Sequence, residues 1–108
     1  MARRVYICGI DTSTLPKITR EESENLLRKI KAGDEGAKDY YIYCNMRLVL
    51  SVAQRFVSCK ENMDDIFQVG CVGLLKAIDN FDISLNVQFS TYAVPMIVGE
   101  IRRYLRGN

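Results

Sequence analysis

The sequence FSTYAVPMIVGEIRRYLR, from Phe89 to Arg106, constrains the fold and the function of this chain more than any other stretch. It opens with a small polar pair between two aromatic residues, continues as an apolar run, and ends in a cluster of arginines. Ser90 is expected to cap a helix, because its hydroxyl can accept a hydrogen bond from a backbone N–H of the first turn. Aromatic rings beside arginines suit single-stranded nucleic acid, since rings stack on bases and guanidinium groups bind phosphates. The alternative is an amphipathic core helix with a solvated basic end, which is a common arrangement.

Two upstream segments extend this pattern: NMRLVLSVAQRF at 45–56 and DDIFQVGCVGLLKAIDNFD at 64–82. In order and spacing, they and the FSTYA…IRR stretch closely resemble conserved region 2 of bacterial RNA polymerase sigma factors. The upstream segments are similar to the core-polymerase-binding segments of that family, and the last stretch is similar to its promoter-melting segment. The wording VPMIVGEIRRYLR and the leader ICGIDTSTLP resemble the sporulation subgroup, and within it the late forespore type. The resemblance covers nearly the whole chain, more loosely over 19–43.

The resemblance implies an all-α fold, a compact bundle of about four helices. Residues 19–108 would form the sigma region 2 domain, which binds core RNA polymerase and recognises and melts the minus-ten element of promoters, here during sporulation. Residues 1–18 would be a leader. Because a full sigma factor carries further promoter-binding domains, we expect this chain to be a fragment that ends at a domain edge.

The resemblance also implies two sets of contact residues. The residues expected to bind the clamp coiled coil of core RNA polymerase are Asn45, Arg47, Leu48, Asp64, Asp65, Phe67 and Gln68. Those expected to bind the non-template strand of the minus-ten element in promoter DNA are Phe89, Ser90, Thr91, Tyr92, Pro95, Met96, Arg102, Arg103 and Arg106. Housekeeping members have two adjacent tryptophans where this chain has Pro95 and Met96, and this chain has no tryptophan. The resemblance therefore implies a weaker wedge at the melted fork, with less efficient and more promoter-selective melting.

Composition and charge indicate one small globular domain. The chain has 108 residues, of which 48% are hydrophobic and 26% charged, as in ordinary soluble proteins, and this length can bury a modest core. The net charge of +2 says little, since a nucleic-acid binder needs only a local basic face. The charge is uneven, because three arginines, Arg102, Arg103 and Arg106, lie in the tail. A cluster of acids lies in the middle of the chain, namely Glu61, Asp64, Asp65, Asp79 and Asp82.

Several functional classes are disfavoured by what the sequence lacks. No apolar run is long enough to span a membrane and the N-terminus is too short for a signal-peptide core, so we expect a cytoplasmic protein. There is no histidine, and Cys8, Cys44, Cys59 and Cys71 form no CxxC pair, so we expect neither a metal site, nor a cofactor, nor disulfides. Without histidine or a glycine-rich phosphate loop, an enzyme is not expected.

Local signals predict where the first two helices begin and end. Thr19 and Glu22 form a predicted capping box, Gly33 ends the first helix, and Asp34 caps a second helix that runs from about 35 to about 58. The residues expected to face the core are Leu26, Leu27, Ile30, Tyr41, Leu48, Val52 and Phe56.

A third helix is predicted to start after Asn62, with Asp64, Asp65 and Gln68 on an outer polar face. Gly70 and Gly73 cost about 1 kcal/mol each inside a helix, so close approach of another helix is expected to compensate. Its apolar stripe comprises Ile66, Val69, Leu74, Ala77 and Ile78. In the last helix Pro95 removes a backbone hydrogen bond, so the helix either bends there or starts near Val94.

Two other functions stay open at this point. The first is a helical protein-interaction module with no nucleic-acid binding, in which the arginines are only solvated. The second, more distant one is a small helical redox or metal protein. The leader at 1–18 is interpreted as flexible, because termini are often poorly ordered, and the alternative is a docking strip for a regulator. The resemblance adds an anti-sigma factor as a partner.

Overall fold

The structure is a computed structural model that describes residues 6–7, 10–11, 17–56 and 62–107. Most of the described chain is helical, so the all-α prediction is confirmed. The helices are α1 (Arg20–Lys31), α2 (Glu35–Cys44), α3 (Met46–Ala53), α4 (Met63–Asn80) and α5 (Phe89–Gly107), and a 3₁₀ helix (Gln54–Phe56) follows α3. Two short strands, β1 (Tyr6–Ile7) and β2 (Ile10–Asp11), pair in antiparallel fashion ahead of them.

Some predictions fall wholly or partly outside the described residues. They concern Cys8, Cys59, Glu61, the end of the predicted second helix at Ser58, and most of the leader with its ICGIDTSTLP segment.

The predicted caps of α1 and α2 are confirmed. Thr19 accepts a hydrogen bond from the Glu22 N–H at 3.1 Å, and the Glu22 carboxylate accepts one from the Thr19 N–H at 2.8 Å. Gly33 has a φ of 96°, a left-handed conformation that glycine adopts without steric cost. The Asp34 carboxylate then accepts from the Ala37 N–H at 3.0 Å. These local bonds fix where the two helices start and stop.

The prediction of one continuous second helix is wrong, because the chain forms two helices that meet at Asn45. The φ of Asn45 is −100° and its ψ is 8°, outside the helical range. Its side-chain amide donates a hydrogen bond to the Tyr41 carbonyl at 2.8 Å. Such side-chain bonds to the backbone compete with the regular hydrogen bonds of a helix. The break changes the direction of the chain, and the described residues therefore form five α-helices where about four were expected.

α4 and α5 pack closely along two glycines, as the sequence predicted. A Cβ atom at Gly73 would lie 2.7 Å from the Ile97 Cα and 2.8 Å from the Met96 carbonyl oxygen. A Cβ atom at Gly70 would lie 2.9 Å from a methyl group of Val49 on α3. No side chain fits these spaces, so the two glycines permit the contact between α4 and its neighbours.

The core between the helices includes a group of aromatic rings. Phe89 contacts Tyr41 and Phe81 edge to face, with ring centroids 5.1 and 5.4 Å apart. The ring of Tyr92 lies 5.4 Å from that of Phe81. This group joins α2, α5 and the 81–88 connector, and it fixes the first turn of α5 against the rest of the bundle.

The start of α5 differs from the prediction. The helix begins at Phe89, so Ser90 lies inside its first turn and is not the cap that the sequence predicted. The helix runs through Pro95, which rules out a start near Val94. Pro95 cannot donate a hydrogen bond to the carbonyl of Thr91, and both residues are exposed, so water can satisfy that carbonyl.

Candidate nucleic-acid interface

The outward side of α5 carries a row of residues spaced three or four positions apart. This row, called the α5 row below, consists of Thr91, Pro95, Gly99, Arg102 and Arg106. Four of them are exposed, and a Cβ atom at Gly99 would meet open space. The opposite side of the helix is buried at Phe89, Ala93, Ile97 and Ile101. Residues spaced three and four positions apart lie on one side of a helix. Because the opposite side packs in the core, this row faces solvent and can contact a partner.

Arg103 lies at the edge of the α5 row, on the side of α4. Its guanidinium group donates to one carboxylate oxygen of Glu100, while the Lys76 ammonium group on α4 donates to the other at 3.0 Å. The Lys76 hydrogen bond, aided by the charge of Arg103, holds the pKa of Glu100 below its usual range. Of the three arginines that the sequence grouped, two therefore belong to the row and one is ion-paired beside it.

The aromatic residues expected to stack on bases differ in exposure. Phe89 is buried at 6% exposure because its ring packs in the core, so little of the ring is accessible, and its contact with DNA stays a prediction. Tyr92 and Met96 are partly buried and pack against the core on one side. Tyr92 is therefore an aromatic residue of this segment that lies beside the α5 row and is only partly buried.

A cleft of about 250 Å³ lies beside the first turn of α5. Its apolar wall includes the aromatic rings of Tyr41, Phe81 and Phe89. Its polar lining residues are Thr19, Arg20, Ser23, Glu24, Asn45, Gln88 and Ser90. The structure thus brings Asn45 and Ser90 to one cleft, although the sequence assigned them to different partners.

Tyr41 is the most strongly perturbed titratable group at the cleft. Its hydroxyl lies 2.6 Å from the Ser23 hydroxyl, and its side chain is almost fully buried. Burial raises the pKa of Tyr41 to about 12, although the hydrogen bond with Ser23 acts in the opposite direction. The phenol is therefore neutral at physiological pH, and its hydroxyl is oriented by Ser23.

The outer side of α4 forms a second open surface, called the α4 face below. Asp64, Asp65 and Gln68 are exposed there, as predicted. The row continues to Val72, which is 44% exposed, and Leu75, which is 37% exposed. Sequence reasoning did not single out these two residues, although they are apolar residues of α4 that fall outside its predicted core stripe. Contiguous exposed apolar surface with polar residues at its rim is a feature of protein-binding sites, and this pair beside acidic residues is a small instance of it.

The remaining residues predicted to contact polymerase are less accessible. Phe67 is buried at 4% exposure because its ring belongs to the core under α4, and its contact with polymerase stays a prediction. Leu48 is partly buried against the core, and Arg47 is partly buried on the same helix.

The comparison with protein families decides the identity of this fold. Residues 42–108 match the family model described as Sigma-70 region 2. The chain belongs to this family. The resemblance noted in the sequence is therefore confirmed, and α3, α4 and α5 lie wholly within the matched residues of sigma region 2.

Known proteins resemble this sigma region 2 chain over almost all of its length. It is 59% identical over 106 residues to the RNA polymerase sigma-G factor of Bacillus subtilis (strain 168), which covers 97% of this chain and 41% of that protein. It is 57% identical over 105 residues to the putative RNA polymerase sigma-G factor of Bacillus thuringiensis subsp. kurstaki, covering 97% and 84%. It is 53% identical over 85 residues to the RNA polymerase sigma-F factor of Bacillus subtilis (strain 168), covering 79% and 33%. The chain thus spans less than half of both Bacillus subtilis relatives.

The helices described for this sigma region 2 chain include none with the length and apolar content needed to cross a bilayer. Across 17–56 and 62–107, no three cysteine or acidic side chains are grouped so that they could hold a metal ion.

Proposed function

We propose that this chain is the polymerase-binding and promoter-binding part of a sporulation sigma factor, which directs RNA polymerase to promoters and acts by binding. Family membership and similarity to proteins named sigma-G support this proposal. The main structural support is the exposed α5 row, because its arginines lie on the open side of a helix whose opposite side is buried in the core.

The α5 row is proposed to follow the non-template strand of the minus-ten element. Arg102 and Arg106 are one helical turn apart on the open side, so both can contact successive phosphates. Thr91 and Pro95 continue the same side toward the cleft, and the partly buried Tyr92 lies beside them. A strand bound along this line would have its backbone near the arginines and its bases near the first turn of the helix.

The cleft is proposed to accept a base from the opened strand. Extruding a base costs a few kcal/mol, and a fitted pocket with stacking and hydrogen-bonding groups offsets that cost. Here aromatic side chains form the apolar wall, and Asn45 and Ser90 supply groups that can both donate and accept hydrogen bonds. This places Asn45 with the DNA-binding residues in the proposed model.

The α4 face is proposed to bind core RNA polymerase through its clamp coiled coil. Acidic Asp64 and Asp65 would meet basic groups, and Val72 and Leu75 would be buried at the centre of the contact. Because the α4 face and the α5 row belong to two helices packed directly on each other, one rigid unit can hold polymerase and DNA together.

A capture experiment with two arms tests the proposal. The tagged chain is mixed with core RNA polymerase of Bacillus subtilis, with and without labelled single-stranded minus-ten DNA, and both bound species are quantified. We expect the chain to retain polymerase, and the complex to retain minus-ten DNA more tightly than a scrambled strand. Leu75→Asp should reduce polymerase capture, with Leu85→Asp, at an exposed position of the 81–88 connector, as the matched control. Polymerase capture without preference for the minus-ten strand would support the alternative, an interaction module without nucleic-acid binding.

A further inference from the structure

Glu100 has an unusual position between the two interfaces. It is only 12% exposed, whereas Lys76 and Arg103, which bind its two carboxylate oxygens, are 50% and 64% exposed. Its carboxylate is therefore fixed between α4 and α5, while the cations at either side reach the surface. The low pKa that Lys76 and Arg103 impose keeps it ionised at neutral pH.

The effect of this arrangement on Arg103 follows from helix geometry. Arg103 is adjacent in sequence to Arg102, but successive residues point about 100° apart around a helix, so the two arginines diverge. Glu100 lies three residues before Arg103, at the spacing where side chains on a helix meet. The ion pair thus keeps the guanidinium group on the α4 side of the helix and places a negative charge directly beside it.

We infer that Glu100 is a specificity-determining residue that withholds Arg103 from phosphates and thereby lowers the affinity of the domain for DNA of any sequence. The inference rests on the proposed DNA-binding function of the α5 row. Phosphate contacts by lysine and arginine supply most sequence-independent affinity, and each contact adds about 0.9 to the slope of log K against log salt on duplex DNA. Removing one such contact weakens binding to all sequences, while contacts to exposed bases are unaffected. A repulsive charge of this kind is an established route to specificity.

The test measures the affinity of the full chain for a labelled duplex that lacks a promoter, by fluorescence anisotropy across a salt series that begins at low salt. The variants are Glu100→Gln, Arg103→Ala, their combination, Arg102→Ala and Lys76→Gln, each checked by a thermal melt. We expect Glu100→Gln to tighten binding at low salt and to steepen the slope by about 0.9, as one added phosphate contact does. Arg103→Ala alone should change the slope far less, and in the Glu100→Gln background it should abolish the gain. Lys76→Gln, which breaks the other half of the network, should produce no gain.

Each other result has a defined meaning. If Arg103→Ala alone flattens the slope by about 0.9, Arg103 already binds phosphate and the inference is wrong. A gain that persists in the double variant would come from Lys76 or from the lost negative charge, and it too would overturn the inference. If Arg102→Ala flattens the slope but Glu100→Gln changes nothing, the inference fails while the proposed function stands. If the parent shows no salt-dependent binding and Arg102→Ala has no effect, both fail. Should Glu100→Gln not fold, the Arg103→Ala result decides alone.

Discussion

Gly73 on α4 lies directly against the backbone of Ile97 on α5, so closely that a Cβ atom would stand 2.7 Å from the Ile97 Cα. Neither backbone can move aside without shifting a whole helix. We expect Gly73→Ala to lower the free energy of unfolding by about 1–3 kcal/mol, the usual cost of overpacking a core, despite the better helix propensity of alanine. Urea denaturation measures the change.

Gly99→Ala is the matched control, because it places the same methyl group in open space on the other side of α5. Alanine is favoured over glycine within a helix, so this variant should raise the free energy of unfolding by up to about 1 kcal/mol. Equal effects at the two positions would mean that α4 and α5 do not approach as described.

A second prediction concerns pH and Tyr41, whose pKa burial raises to about 12 from an ordinary value of 10.0. The unfolded chain therefore loses the phenolic proton before the folded chain does. The contribution of Tyr41 to the free energy of unfolding is therefore fully present below pH 10 and is lost as the pH rises from 10 through 12. We expect the titration of Tyr41 to lower the free energy of unfolding by about 1–3 kcal/mol between pH 10 and pH 12. Tyr41→Phe should remove that part of the slope in urea titrations at several pH values. Parallel pH dependences for the parent and the variant would contradict the prediction.

The third prediction tests whether Phe89 is a core residue. Its ring packs edge to face against Tyr41 and Phe81, and its side chain is nearly buried. Phe89→Ala should lower the free energy of unfolding by about 3–5 kcal/mol, as expected for removal of a buried aromatic ring. Thr91→Ala, two residues away but exposed, should change stability by less than about 0.5 kcal/mol. If urea denaturation shows Phe89→Ala to be as stable as Thr91→Ala, the Phe89 ring does not belong to the core.

Local features of the chain were predictable from the sequence. The Thr19–Glu22 capping box, the turn at Gly33 and the cap at Asp34 all depend on residues within one turn of each other. The glycine contact could also be predicted, because two glycines within a long helix need a compensating neighbour. The break at Asn45 was missed, since one asparagine is a weak signal within a continuing apolar period.

Features set by distant parts of the chain were not predictable from local pattern. Phe89 is buried because Tyr41 and Phe81, far apart in sequence, converge on it. The Lys76–Glu100 ion pair joins residues 24 positions apart on different helices, so no helical periodicity reveals it. Residue types thus indicated which stretches carry the candidate site, whereas packing decided which of their side chains remain accessible.

The fourth prediction concerns the ring of Tyr92, a partly buried residue that lies beside the α5 row. If this ring stacks on a base, Tyr92→Ala should weaken binding of single-stranded minus-ten DNA by about 1–3 kcal/mol. The measurement uses the polymerase-bound chain, with thermal melts to account for the contact between Tyr92 and Phe81. Tyr92→Phe keeps the ring and should bind DNA nearly as the parent does. Equal affinities for all three proteins would exclude stacking by this residue.

The last prediction addresses the α4 face. Asp65 is exposed in the first turn of α4, next to the row that ends in Val72 and Leu75. If it pairs with a basic group of core RNA polymerase, Asp65→Arg replaces attraction with repulsion, and we expect affinity for polymerase to fall by about 2–5 kcal/mol. Titration of labelled chain with core polymerase gives the affinity, and circular dichroism shows whether the variant is folded.

Glu21→Arg provides the control for this change. Glu21 is also exposed and also lies in the first turn of a helix, α1, so reversing its charge loses the same favourable interaction with a helix dipole. Both variants should therefore lose a similar small amount of stability, up to about 1 kcal/mol, and only Asp65→Arg should lose polymerase binding. If a folded Asp65→Arg variant binds polymerase as tightly as Glu21→Arg does, the α4 face is not the polymerase contact, and another exposed surface of the bundle must supply it.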